Sequence, residues 1–166
     1  MKKSQFAMAV VIAVLLLAAT VVLAQDAVEK GKHEAVHHGC LNVIGGECEK
    51  GHMEVKLTDG LLEAWLVGGG QDTNRSVRID AQEIHLNAKL PDGTTQELVL
   101  QAKPLDLAGE KLGDCSHFTA SADWLKTATK FEATGEFRFR GQMEKLIVRY
   151  PQGYDPDEEV KEHKEK

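Results

Sequence analysis

Residues 52–67 read HMEVKLTDGLLEAWLV, two runs that alternate polar and apolar residues on either side of Asp59-Gly60. An Asp-Gly pair between two alternating runs is the strongest short-range signal of a two-residue β-hairpin. The turn fixes the register and sets Lys56 opposite Glu63 as a cross-strand pair of opposite charge. One face of the hairpin is wholly apolar and is predicted to lie on the core. The other face carries His52, Glu54, Lys56, Glu63 and Trp65.

The polar face of this hairpin leaves two interpretations open for His52 and Glu54. They are either neighbouring ligands of one site or part of a solvated surface, which is the usual fate of the face opposite the core. Gly68-Gly69-Gly70 follows the hairpin, and neither Lys-Ser nor Lys-Thr nor a helix signal comes after it. We therefore predict a flexible loop there and not a phosphate-binding loop.

The same alternation predicts two further hairpins towards the C-terminus. The first spans residues 84–100 and turns at Pro91-Asp92-Gly93. The second spans residues 131–150 and turns near Gly141-Gln142. Turn residues of these types between alternating runs are typical of antiparallel sheets.

A single short helix is predicted from Ser121 to Thr127, with Ser121 as its N-cap and with Trp124 and Leu125 as its anchors. The strands and helices do not alternate in the way that builds a parallel sheet. The sequence therefore predicts an all-β fold, an antiparallel β-sandwich or barrel with one short helix.

The N-terminal residues have the pattern of an export signal. Met1-Lys2-Lys3 precedes an uncharged apolar run from Phe6 to Ala24, and the run ends in small or short residues of the kind that a signal peptidase reads. We predict that residues 1–24 are a signal peptide and that the protein is periplasmic or secreted. Because the run is also about long enough to cross a bilayer, an uncleaved anchor is the alternative, and it would be the only contact with the membrane.

The remaining chain has room for one domain with a sizeable core. We predict a flexible leader at residues 25–36, a β-sandwich domain at 37–154 and a charged tail at 155–166. The net charge of −6 becomes −8 without the first 24 residues, whose only charged residues are Lys2 and Lys3. This acidic balance predicts no nucleic-acid partner, because phosphate binding needs a basic patch.

Cysteine and histidine residues occur in pairs along the chain. Each of the three cysteines has a histidine within four residues, and the pairs are His38 with Cys40, Cys48 with His52, and Cys115 with His117. Thiolate and imidazole together suit copper or zinc. We predict that these six residues are the ligands of a copper or zinc site.

These residues allow two other interpretations. In an oxidising compartment two of the three cysteines would ordinarily form a disulfide. Three pairings are possible, among them Cys115 with Cys48 or with Cys40, and each leaves one thiol over. A disulfide and a metal site on the remaining groups could coexist. The residues from Asp114 to His117 are adjacent in sequence, but no motif of a catalytic nucleophile surrounds them. We therefore predict that the protein is not an enzyme.

Three segments of the chain together resemble a known pattern: His38-Gly39-Cys40, then Gly51-His52-Met53-Glu54-Val55, then Trp65-Leu66-Val67. They are similar to the His-Gly-Gly segments near the start of small periplasmic β-domains associated with heavy-metal efflux adaptors. The similarity covers about residues 37–70 and implies metal handling in the envelope, with His38 as the motif histidine. Where the family has a second glycine, this chain has Cys40, which adds a soft ligand.

These observations together predict an exported copper- or zinc-binding accessory protein of the cell envelope, with a metal-efflux or other envelope protein as its partner. The alternative is a non-catalytic envelope domain, stabilised by a disulfide, that binds a protein or a surface.

Overall fold

The computed structural model describes residues 33–70 and 72–157. The predicted signal peptide, the first part of the predicted leader and most of the predicted tail lie outside these residues. Within the described ranges no helix is both long enough and apolar enough to cross a membrane.

Eight strands form one antiparallel sheet that is nearly closed into a barrel. In chain order they are β1 (Cys40–Val43), β2 (His52–Thr58), β3 (Leu61–Val67), β4 (Glu83–Lys89), β5 (Thr95–Ala102), β6 (His117–Ser121), β7 (Phe131–Phe139) and β8 (Gln142–Tyr150). Their order in the sheet is β1-β2-β3-β6-β5-β4-β7-β8. The predicted all-β class is therefore confirmed, and of the two predicted architectures the barrel is the one observed.

The two ends of the sheet meet through β1 and β8. Single bridges join Ile44 to Leu146 and Asn42 to Tyr154. The buried side chain of Asn42 adds to the closure, because its Oδ1 accepts a hydrogen bond of 2.8 Å from the Arg149 amide. Its Nδ2 donates to the carbonyl of Met53 at 3.3 Å. One amide side chain thus links β1 to β8, which share no regular ladder, and adds a hydrogen bond to the β1–β2 pair.

The predicted register of the first hairpin is confirmed. Lys56 lies opposite Glu63 and Val55 lies opposite Ala64. Asp59 and Gly60 have φ angles of 51° and 82°, as a type I′ turn requires. The apolar face is buried in the core of the barrel together with the alternate residues of the other strands, for example Ile84, Leu86 and Ala88 of β4.

Two local details differ from the prediction. Phe139 pairs with Gln142, so the last turn consists of Arg140 and Gly141, one residue earlier than predicted. The predicted helix is a short 3₁₀ helix, Asp123–Lys126, whose N-cap is Ala122. Ser121 does not cap it, because the backbone of Ser121 is still paired with Leu61 as the last residue of β6.

A second 3₁₀ turn, Asp106–Ala108, lies in the connection between β5 and β6. In the Asp123–Lys126 helix Leu125 is buried, as predicted for an anchor. Trp124 packs edge-on against Phe131, and the two ring centroids are 5.4 Å apart.

Candidate metal centre

Residues 33–39 cover the polar face of the β2–β3 hairpin, and we call them the docked segment. His37 stacks on Trp65 of β3 with ring centroids 4.2 Å apart and an interplanar angle of 3°. At the other end of the segment the Thr73 hydroxyl donates a 3.0 Å hydrogen bond to the Glu34 carbonyl. As a result His52 and Glu54 are only 2% and 0% exposed, and the interpretation of these two residues as a solvated surface is wrong.

The docked segment brings His33 to a cluster with Cys48 and His52. One potential ligand atom of each of the three residues lies within 4.8 Å of the others. The rings of His33 and His52 are tilted by 43° with centroids 4.7 Å apart. His33 Nδ1 is buried and has no hydrogen-bond partner. Because buried polar atoms in proteins are nearly always paired, this nitrogen is a candidate to bind a ligand that the protein itself does not supply.

His52 is oriented by its own backbone surroundings. It is the first residue of β2, and its Nδ1 lies 3.1 Å from the Gly68 carbonyl. A carbonyl can only accept a hydrogen bond, so the proton of the neutral ring belongs on Nδ1 and the lone pair on Nε2. Burial lowers the pKa of His52. The ring is therefore neutral near pH 7 and can act as a ligand through Nε2.

Cys48 lies in the loop between β1 and β2, which packs closely against Gly68-Gly69-Gly70. The Gly70 amide donates a 2.9 Å hydrogen bond to the Cys48 carbonyl. A Cβ atom on Gly69 would collide with the backbone carbonyl of Glu49. The three glycines predicted to be a flexible loop thus allow a backbone-to-backbone contact that holds Cys48 at the cluster.

Two carboxylates also lie near the Cys48 sulfur. Cys48, Asp155 and Asp157 form a second group whose potential ligand atoms all lie within 4.8 Å of one another. The thiol donates a hydrogen bond to Asp155 Oδ1 at 3.6 Å. Burial, followed by the negative charge of Asp155, raises the pKa of the Cys48 thiol to about 11. The thiol therefore carries its proton near pH 7, and a metal ion would have to displace it.

The cluster of His33, Cys48 and His52 has the chemistry of a soft or borderline metal site. Zinc and copper bind imidazole nitrogen at roughly 2.0–2.1 Å and thiolate sulfur at about 2.3 Å. Ligand atoms around one tetrahedral ion are then about 3.3–3.6 Å apart for two imidazole nitrogens and one thiolate, so the cluster needs a contraction of up to about 1.5 Å to hold an ion.

Two of the six predicted ligands, Cys48 and His52, belong to this cluster. The third member, His33, was not predicted, because it lies in the segment predicted to be a flexible leader. Nothing in its immediate sequence distinguishes it, since its position depends on contacts with residues on β2, β3 and the loop that follows them.

The other four predicted ligands lie elsewhere. His38 is exposed at the edge of the docked segment, and half-buried Cys40 begins β1 with its Sγ 3.7 Å from the Arg149 carbonyl. Cys115 is fully buried and donates to the His117 carbonyl at 3.0 Å. Among residues 33–70 and 72–157, the groups of three or more potential ligands include none of these four.

His117 instead extends the stack on Trp65. The two rings are 5.1 Å apart, so Trp65 is held between His37 and His117. Nδ1 of His117 donates to the Lys103 carbonyl at 3.2 Å, and Nε2 lies 3.5 Å from Glu63 Oε1. Burial lowers the pKa of His117.

The predicted disulfide is absent, because all three cysteines are free. Their thiols lie on different parts of the barrel and have different hydrogen-bond acceptors: the Arg149 carbonyl for Cys40, the Asp155 carboxylate for Cys48 and the His117 carbonyl for Cys115. Burial raises the pKa of Cys40 and of Cys115, so these thiols are also protonated near pH 7.

Comparisons with protein families, with curated proteins and with solved structures found no match. The assignment of a function therefore depends on the geometry and chemistry of this chain's own residues.

Proposed function

We propose that the protein is an exported accessory protein of the cell envelope that binds one zinc or copper ion through His33, Cys48 and His52. The observation that carries the proposal is the convergence of two imidazoles and one thiol, with a buried His33 Nδ1 that has no partner. Buried nitrogen atoms without a hydrogen-bond partner are rare. Among the described residues two histidine nitrogens are of this kind, His33 Nδ1 and His117 Nε2, and only His33 belongs to a group of potential metal ligands. A metal ion would supply the partner that His33 Nδ1 lacks.

The other parts of the proposal have separate support. The exported location is inferred from the pattern of residues 1–24, and the role beside a metal-efflux protein from the resemblance over residues 37–70. Intact-mass analysis of protein from the envelope fraction tests the first inference. A mature chain that begins at or near Gln25 supports it, and a chain that retains Met1 to Ala24 supports an uncleaved anchor.

The test of metal binding is a titration of untagged apoprotein with zinc and with copper(I), each against a competing chelator, and with cobalt(II) as a spectroscopic probe. We expect one ion per chain and a thiolate-to-cobalt charge-transfer band. Cys48→Ser should abolish the band and weaken binding by at least about 100-fold, because it removes the only thiolate ligand.

The matched control for this test is Cys115→Ser, which removes a buried thiol outside the cluster. It should leave stoichiometry and affinity unchanged. A wild-type chain with only weak, non-stoichiometric binding, or equal losses in the two cysteine variants, would contradict the assignment. The same experiment with His38→Ala, Cys40→Ser and His117→Ala tests the remaining predicted ligands.

A partner protein is supported by a separate observation. Leu105, Leu107 and Leu112 are exposed in the connection between β5 and β6, and the Leu107 side chain is as exposed as in an extended chain. Exposed leucines grouped in one loop are typical of contact surfaces. A photo-crosslinking side chain at position 107 should capture an envelope protein, whereas the same side chain at exposed Asp92 should not. Equal capture from both positions would contradict a specific contact.

A further inference from the structure

Glu54 is a fully buried carboxylate on the face of β2 that points away from the apolar core. Its exposed fraction is 0%, and within residues 33–70 and 72–157 its hydrogen-bond partners all belong to the docked segment. Oε1 accepts 2.8 Å hydrogen bonds from the backbone amides of His37 and Gly39. Oε2 lies 2.8 Å from Nδ1 of His37. A buried carboxylate needs such partners, and here the docked segment supplies all three.

The backbone of the docked segment is shaped around this carboxylate. His38 has a φ angle of 61°, a left-handed conformation that is uncommon outside glycine. This conformation lets the amides on either side of His38 converge on one oxygen, as in the anion-binding concavities called nests. Gly39 is needed for the close approach, because a Cβ atom there would meet the Val55 carbonyl at 2.5 Å.

The same contacts limit where His33 can be. His33 precedes His37 by four residues, so even a fully extended chain keeps the two Cα atoms within about 14 Å. The hydrogen bond from Thr73 to the Glu34 carbonyl restricts the intervening chain further. If the segment were not docked, His33 would move relative to the barrel and would only transiently approach Cys48 and His52. Docking keeps His33 beside these two residues at a high effective concentration.

We propose that Glu54 is the positioning residue of the metal centre: it anchors the docked segment on the hairpin and thereby holds His33 beside Cys48 and His52. This inference rests on the proposed metal function and adds to it a residue that touches no metal ion. Residues that orient metal ligands typically change metal affinity by about 10–100-fold when they are replaced.

The variant that tests the proposal is Glu54→Gln, which keeps the size of the side chain but removes the charge that holds two amides and an imidazole. We expect its zinc affinity, measured by chelator competition on the full domain, to fall by about 10–100-fold. The thiolate-to-cobalt band should persist, because Cys48 remains, while the visible cobalt bands should weaken as solvent replaces His33. Glu63→Gln is the matched control, since Glu63 is on the same hairpin but faces His117; its affinity should equal that of the wild type.

A double-mutant cycle with His33→Ala separates positioning from a general effect on folding. If Glu54 acts through His33, then Glu54→Gln should have no further effect on affinity in the His33→Ala background. His37→Ala, which removes the stack and one contact of the carboxylate, provides the same cycle if Glu54→Gln does not fold. Wild-type affinity in Glu54→Gln, or the same loss with and without His33, would overturn the positioning role and leave the metal site standing. An absence of stoichiometric binding in the wild type would overturn both.

Discussion

Cys48 carries a proton that a metal ion must displace. Burial and the Asp155 carboxylate raise the pKa of this thiol to about 11, while burial lowers the pKa of His52. In the pH window above the lowered pKa of His52 and below the Cys48 pKa of about 11, the thiol is protonated and the His52 ring is neutral. We therefore expect metal binding to release about one proton, and the apparent affinity to rise about tenfold per pH unit across this window.

Calorimetric titration with zinc at about pH 7.5, in two buffers of different ionisation enthalpy, counts that proton. Cys115→Ser should release the same number, and Cys48→Ser should release none. Binding without proton release in the wild type would mean that Cys48 is not a ligand.

The lowered pKa of His117 predicts how the stability of the apoprotein depends on pH. Burial lowers its folded-state pKa, so just below about 6.5 the unfolded chain binds more protons than the folded chain does. The free energy of unfolding therefore rises with pH through this window, and stability present above it is lost as the pH falls. Urea unfolding at about pH 7.5 and about pH 5.5 should show the loss.

A substitution assigns this effect to the residue. His117→Gln should reduce the loss of stability between the two pH values. His85→Gln is the control, because His85 is exposed and its hydrogen bonds to Glu97 and Glu83 raise its pKa, a shift of the opposite sign. An unchanged pH dependence in His117→Gln would show that other groups control the acid sensitivity.

At the scale of single elements, the β2–β3 hairpin offers the sharpest comparison. Val55 is 1% exposed on the core face, and its neighbour Lys56 lies on the other face. Val55→Asp buries a charge without a partner, and we expect it to cost more than about 4 kcal/mol and to unfold the domain. Lys56→Asp replaces a partly exposed positive charge opposite Glu63 by a negative one, and its cost in solvent should stay below about 1 kcal/mol. Similar thermal unfolding midpoints for the two variants would contradict the observed register.

The hairpins could be predicted because every signal that specifies them is local. Asp59-Gly60 is a residue pair that readily adopts the positive φ angles of a type I′ turn. The alternation of the flanking residues assigns each side chain to one face of the hairpin. The docked segment could not be predicted in this way, because Glu54 and His37 are 17 residues apart and Thr73 and Glu34 are 39 apart. Residue type was enough to name Cys48 and His52 as candidate ligands, whereas His33 joins them only through the docking of its segment.

For the molecule as a whole, Asn42 marks the place where the sheet closes. Its side chain accepts from the Arg149 amide and donates to the Met53 carbonyl in a fully buried position. Asn42→Ala removes both hydrogen bonds in a place that water does not reach, and we expect it to cost about 1–3 kcal/mol in urea unfolding. Asn87→Ala, an exposed change on β4, should stay within about 0.5 kcal/mol. Equal effects would mean that the closure contributes little.

The meeting of β1 and β8 also governs when this chain can finish folding. Asn42 and Arg149 are 107 residues apart, and contacts of such separation form slowly because a long loop must be closed first. β1 gains its second neighbour only after the last strand has been delivered. The proposed export gives this order a consequence. In a chain that crosses a membrane unfolded, β1 would have no second neighbour until residues near position 150 had crossed, and closure of the barrel would follow translocation.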